Sequence, residues 1–257
     1  MDLGLADKTA LVLGASSGLG FAIADRLAQE GAQVVLSARP SERLEQALAA
    51  VRRHGPNTTT LSIDLQQLAP ADEEKIRKLA PHILICNSGG PPPGGARDSK
   101  LDAWQVQFQS MVLNQIRIVR ACLPAMLERK WGRILVVASS GVIVPIPNLA
   151  ISNSLRSALV AFAKTLAAEV AASGVTVNVI VPGRIATPRV AQLDQAAADR
   201  EKADVAAVKQ RSMQAIPLGR YGDPAEFANV AAFLVSEPAA YVTGQMSRVD
   251  GGFIRSI

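Results

Sequence analysis

The sequence predicts a three-layer α/β/α fold on a doubly wound parallel sheet of about seven strands. Short apolar runs alternate with amphipathic stretches along the whole chain, and most of the runs are unbroken, as strands covered on both faces require. Strand–helix repetition of this kind calls for right-handed crossovers. Of 257 residues, 49% are hydrophobic and 19% charged, enough to bury a sizeable core and too apolar for disorder.

The elements follow in order. Strands are expected at Thr9–Leu13, Gln33–Ser37, Thr58–Ile63, Ile83–Cys86, Arg133–Ala138, Thr176–Val181 and Ser247–Val249. Helical periods fill the gaps at Gly20–Gln29, Glu42–Arg53, Ala71–Leu79, Leu101–Arg129, Asn153–Ala172 and Pro224–Ser236. No linker, repeat or second core interrupts them, so residues 1–257 read as one domain. Two segments break the rhythm. Gly89–Gly95 is too rich in glycine and proline for a helix and reads as a stiff loop. Residues 187–215 are polar and helical in character and follow a strand's carboxyl end, where ligand crevices of such sheets lie; they read as a mobile lid.

Composition excludes several classes. Cys86 and Cys122 cannot build a disulfide framework, and no Cys/His cluster has metal-ligand spacing, so no metal site is expected. No run reaches the ~18–20 apolar residues of a membrane span. The start of the chain lacks the basic and apolar blocks of a signal peptide, which points to the cytoplasm. Lys and Arg total 27 against 22 Asp and Glu, but they are dispersed among acids, giving a mixed surface rather than a nucleic-acid stripe.

The chemistry begins at Gly14-Ala15-Ser16-Ser17-Gly18-Leu19-Gly20, between the first strand and the following helix. Glycines there permit tight turning and close backbone approach, and the helix N-terminus offers unpaired N–H groups to a pyrophosphate. Arg39 lies just past the second strand, with no carboxylate at Ser37 or Ala38 to grip a free ribose 2′-hydroxyl. An arginine without that acid favours the 2′-phosphate, hence NADP(H) over NAD(H). Asp64 with Leu65, and Asn87 with Gly89, stand at the carboxyl ends of the third and fourth strands, on the ligand face.

These features resemble the short-chain dehydrogenase/reductase family over essentially the whole chain, in the style of β-ketoacyl carrier-protein reductases. The family's Gly-x3-Gly-x-Gly loop matches Gly14, Gly18 and Gly20, and its Asn-Asn-Ala-Gly segment appears as Cys86-Asn87-Ser88-Gly89. Its Pro-Gly turn matches Pro182-Gly183 with Thr187. Pro217-Leu218-Gly219-Arg220, Asp223-Pro224 and Thr243-Gly244 through Gly251-Gly252 match its last stretch. The resemblance implies a Rossmann-type sheet, a nicotinamide cofactor with Asp64 near adenine, and Pro182, Gly183, Ile185 and Thr187 beside the nicotinamide. It also implies a homotetramer packed through two long helices.

The catalytic positions depart from the family. Its members use a Tyr-x3-Lys pair, a serine thirteen residues before the tyrosine, and an upstream asparagine; the lysine's charge lowers the phenol pKa so that it gives up its proton as hydride arrives. Ser139 fits the serine, but the tyrosine position holds Ser152 and the lysine position Arg156; the asparagine position holds Met111, with Asn114 one turn away. Alignment error cannot rescue the pair, because the only two tyrosines are Tyr221 and Tyr241. Both read as packing or surface residues, and His82 precedes a strand at the end of the sheet away from the site.

A guanidinium stays charged at neutral pH and cannot shuttle protons there. Arg156 can still hold the nicotinamide ribose and supply a positive field, while Ser139 and Ser152 polarise a substrate oxygen. Arg184 and Arg189 are positioned to join Arg156 in holding an anionic substrate. Two expectations follow. One is an NADP(H)-dependent oxidoreductase acting on a small carbonyl or alcohol by a tyrosine-independent arrangement. The other is an NADP(H)-binding sensor or scaffold subunit that no longer turns over.

Overall fold

The computed structural model describes residues 1–256. Its seven strands are β1 (Thr9–Leu13), β2 (Gln33–Ala38), β3 (Thr59–Ser62), β4 (Ile83–Cys86), β5 (Gly132–Val137), β6 (Val175–Pro182) and β7 (Met246–Val249). They form one parallel sheet in the order β3-β2-β1-β4-β5-β6-β7. The order reverses between β1 and β4, which opens a crevice at the strands' carboxyl ends.

The helices are α1 (Gly18–Gln29), α2 (Glu42–Val51), α3 (Pro70–Leu79), α4 (Leu101–Phe108), α5 (Asn114–Glu128), α6 (Ala150–Val170), α7 (Pro188–Glu201), α8 (Val205–Gln214) and α9 (Pro224–Leu234). Alternation along the strands sorts the core into two layers. Ala10 and Val12 of β1, with Ile83 and Ile85 of β4, pack with α1 and α9 around Phe227. Leu11, Leu13, Leu84 and Cys86 face the other way, toward Ile118 and Cys122 of α5 and Leu159 of α6. Each fully buried large side chain of this kind contributes roughly 1.5–3 kcal/mol. Both sheet faces are covered, which is why the strands read as continuous apolar runs.

Caps set the helix starts. Ser41 accepts from the Leu44 amide to begin α2. Thr187 accepts from Val190 ahead of Pro188 at the first position of α7, and Asp223 with Glu226 forms a capping box on α9. One expectation needs revision: the period across Leu101–Arg129 is two helices, α4 and α5, joined by a π-turn at Gln109–Leu113. The buried Ser110 hydroxyl there donates to the carbonyls of Val106 and Gln107, a back-bond that loosens the α-helical ladder. Among the described residues, no helix is long and apolar enough to cross a membrane, and no cluster of His, Cys, Asp and Glu is suited to a metal.

Candidate active site

The carboxyl ends of the strands open into one cleft of about 1550 Å³. At its β1–β2 end the glycine loop has the required geometry. Gly14 and Gly18 sit at φ +62° and +59°, and a Cβ at Gly20 would press into the Gly14 carbonyl oxygen. Asn87 pins the loop from β4, its Nδ2 donating to the carbonyls of Leu13 at 3.2 Å and Gly14 at 3.3 Å. Across the loop, the Thr187 side chain lies 3.8 Å from where a Gly18 Cβ would be. Arg39 is exposed beyond β2, and Arg43, the second residue of α2, lines the cleft as well. Asp64 and Leu65 close the far end from β3. A narrow glycine turn at a helix N-terminus, followed by two cations and a length of open cleft, fits an extended dinucleotide.

At the β4–β5–β6 end the polar groups gather. Ser139 begins a 3₁₀ turn at Ser140–Val142, its Oγ accepting from the Gly141 amide at 3.2 Å while its own proton stays free to donate. Ser152 faces the cleft from the buried side of α6. Arg156, one turn on, reaches the strand ends: Nη1 donates to the Val137 carbonyl at 3.0 Å and Nη2 to that of Ser88 at 3.2 Å. Burial, and then the charge of Arg189, push the Arg156 pKa down to about 10, which leaves it cationic at neutral pH. Arg189 donates to the Pro91 carbonyl at 2.6 Å, and burial lowers its pKa as well.

Two loops wall this end. The Gly94 amide donates to Asn148 at 2.6 Å, and the Ala150 amide donates back to Gly94 at 3.1 Å, joining the proline-rich loop to the segment before α6. Asn153 clamps that segment through the Ile146 carbonyl at 2.9 Å. Opposite, α7 and α8 are tied down by Asp194, whose buried carboxylate accepts from Arg184 and from the Tyr221 hydroxyl, each at 2.9 Å.

The chain and its fold are similar to those of known proteins. The family model described as enoyl-(acyl carrier protein) reductase matches residues 14–254. The Escherichia coli K12 3-oxoacyl-[acyl-carrier-protein] reductase FabG is 35% identical over 251 residues, covering 95% of this chain and 96% of that protein. The chain belongs to the short-chain dehydrogenase/reductase family. Human dehydrogenase/reductase SDR family member 4 is 31% identical over 253 residues, with 96% and 88% covered. Gluconobacter frateurii L-sorbose reductase, solved with NADPH and L-sorbose, superposes with a TM-score of 0.92 at 31% identity over 100% of both chains. Actinorhodin polyketide ketoreductase with NADPH gives 0.88 at 31%, covering 96% of this chain and 97% of that one. The coarse function of this short-chain dehydrogenase/reductase is therefore NAD(P)-dependent oxidoreductase chemistry on carbonyl and alcohol substrates, on a Rossmann-type sheet.

Nearly all the residues singled out from the sequence meet in this cleft. Gly14, Ser16, Ser17, Gly18, Leu19, Arg39, Asp64, Leu65, Asn87, Gly89, Ser139, Ser152, Arg156, Pro182, Gly183, Arg184, Ile185, Thr187 and Arg189 all line it. Gly20 lies beneath the Gly14 turn instead. Met111, at the asparagine position, is buried in an apolar cluster with Ile151 and Leu155. Asn114 is no substitute: its Nδ2 is spent on the Leu65 carbonyl at 2.7 Å. Gln107 and Ser110 of this stretch line the cleft, and Gln115 donates to the hydroxyl of Ser88, another lining residue, at 3.2 Å, with its own buried Oε1 unpartnered.

Tyr221 is not mere packing, since it holds α7 through Asp194; burial chiefly raises its pKa, the wrong direction for a proton donor at neutral pH. Tyr241 is fully exposed. His82 accepts from the Thr9 amide at the amino end of the sheet, away from the cleft. Cys86 and Cys122 are buried free thiols, and burial pushes Cys86 up to about 12. Sequence reasoning missed Arg43 as a cleft residue and Gln115 as the partner of Ser88. The signals available were an arginine four residues past Arg39, in the first turn of the next helix, and a glutamine on the apolar face of a helix.

Proposed function

We propose that this protein is an NADP(H)-dependent oxidoreductase that interconverts a small carbonyl compound and its alcohol without a tyrosine acid. The observation that carries it is the polar set at this end of the cleft: Ser139, Ser152 and Arg156 all line it, at the positions that sequence counting gives to the family's serine, tyrosine and lysine. A chain that had abandoned turnover would have no need of hydroxyls and a buried cation there.

Ser139 and Ser152 donate to the substrate oxygen, and Arg156 supplies a fixed positive field as charge develops on it. NADPH, held by the glycine loop, would supply a hydride to the carbonyl carbon, and the substrate oxygen held by Ser139 and Ser152 would take its proton from solvent water. Loss of a general acid costs ~10²–10⁴-fold, so the reaction is slowed rather than abolished. Arg39 and Arg43 support NADP(H) over NAD(H), as two cations beyond β2 suit a 2′-phosphate. The segment α7–α8 serves as a lid over the cleft. Exposed Leu101, Val106, Phe108 and Leu113 on and between α4 and α5 support assembly of the single-domain protomers as a homotetramer, packed through the α4–α5 stretch and α6.

The test is a fluorescence titration with NADPH and NADH, followed by NADPH oxidation against ketones, oxo acids and quinones. NADPH binding with slow turnover is expected. NADPH binding without turnover on any compound would make the protein a cofactor-occupied sensor or scaffold, and no binding of either nucleotide would remove both readings.

A further inference from the structure

The arginines around the cleft divide into two kinds. Arg184 is neutralised by Asp194 at 2.9 Å, and Arg200 and Arg211 both pair with Glu201. Arg156 and Arg189 differ. All three hydrogen bonds recorded for their guanidinium groups end on backbone carbonyls, those of Val137, Ser88 and Pro91, and neither pairs with a carboxylate among the described residues. They are also close together. Ser88 and Pro91 are three residues apart, so chain length alone keeps those two carbonyls within about 10 Å. The Arg189 guanidinium lies over Gly90, between them, with Nη2 3.1 Å from where a Cβ would stand.

Two half-buried like charges this near repel, and burial costs each of them its hydration. That arrangement is unfavourable by itself, and an anion placed between the two groups would relieve it. Three of Arg156's five N–H donors and four of Arg189's remain for such a ligand, enough for bidentate contact with each. Ser139 and Ser152 line the same end of the cleft. Resting on the reading of this site as a carbonyl-reducing one, we infer that the substrate is an oxo acid, its carboxylate held between Arg156 and Arg189 while its ketone oxygen meets Ser139 and Ser152. The α7 N-terminus reinforces the choice, as no acidic residue occupies its first turn. Arg189 belongs to α7 and Arg156 to α6, so the carboxylate would fasten α7 to α6 as it binds.

The experiment uses the whole protein loaded with NADP⁺ and titrates it calorimetrically with 2-oxobutyrate, acetoacetate and levulinate, each beside its neutral ethyl ester. At least one acid is expected to bind ten or more times tighter than its ester, and Arg189→Gln should erase that ratio. Acids binding no better than esters, or neither binding, would overturn the inference while NADP⁺ loading left the cofactor reading intact. An Arg189→Gln protein that loses the acid only because its affinity for NADP⁺ falls by the same factor would assign the pair to the cofactor's pyrophosphate, and would equally overturn it. Failure of the wild-type protein to load with NADP⁺ would mark the failure of the underlying reading instead.

Discussion

Replacing Asp194 with alanine should free α7 and α8 from the body of the protein. The carboxylate is almost fully buried and accepts from Arg184 Nη1 and Tyr221 Oη, each at 2.9 Å, joining α7 to the segment after β6 and to the turn before α9. Charge-assisted hydrogen bonds contribute roughly 1.5–3 kcal/mol each. The Arg184 side chain is 31% exposed and can recover water, so its share is discounted and the pair is taken as about 2–3 kcal/mol. That is roughly a 30- to 150-fold increase in the open population of the segment. Global stability should change much less, because Phe227 and the sheet's two apolar layers take no part.

Hydrogen exchange read by peptide would show faster exchange confined to residues 188–214 and a higher KM for NADPH. Tyr221→Phe should give a smaller effect in the same peptides, and the double variant should be sub-additive because both changes act on one carboxylate. Unchanged exchange in 188–214 in the Asp194→Ala protein would refute the idea that this carboxylate holds the segment down.

Other outcomes follow from the same geometry. Gly20→Ala should weaken NADPH binding at least tenfold by calorimetry, since its Cβ would displace the Gly14 carbonyl and the Asn87 amide that shape the turn. Arg39→Ala with Arg43→Ala should lose roughly 10- to 100-fold in NADPH affinity, the equivalent of ~1.5–3 kcal/mol of charge-assisted contact, and little in NADH affinity. Arg156→Lys alone should lower the melting temperature by about 2–4 °C, because lysine lacks the planar fork whose two separate nitrogens reach the Val137 and Ser88 carbonyls, and a lost bond of about 1 kcal/mol shifts a domain this size by that much. Reduction rates should be level from pH 6 to pH 9 and fall as the pH approaches 10, because the Arg156 cation is present below its pKa of about 10 and is lost above it.

The sheet was legible almost to the residue, because strands buried on both faces leave unbroken apolar runs that turn glycines punctuate. The π-turn at Gln109–Leu113 was not, since no glycine or proline marks it and its cause is where one buried serine hydroxyl points. The cofactor end was read from the glycine spacing and Arg39, whereas Arg43 sits among the mixed charges of α2 and looks solvated in one dimension. The tie between Asp194 and Tyr221 joins residues 27 apart across two helices, a distance at which sequence patterns carry no signal. Arg184 and Arg189 look alike in sequence; only their partners, a carboxylate for one and a carbonyl for the other, separate them. The absence of an early tyrosine needed no structure at all.

That absence is what the functional account has to accommodate, and Ser152→Tyr combined with Arg156→Lys tests it most directly. Initial rates of NADPH oxidation with a ketone the wild-type protein turns over should rise by ~10²-fold or more in the double variant, as a phenol beside an ammonium restores general acid catalysis, while neither single change should raise them. A folded, NADPH-binding double variant no faster than wild type would contradict the claim that the missing phenol is what limits this site.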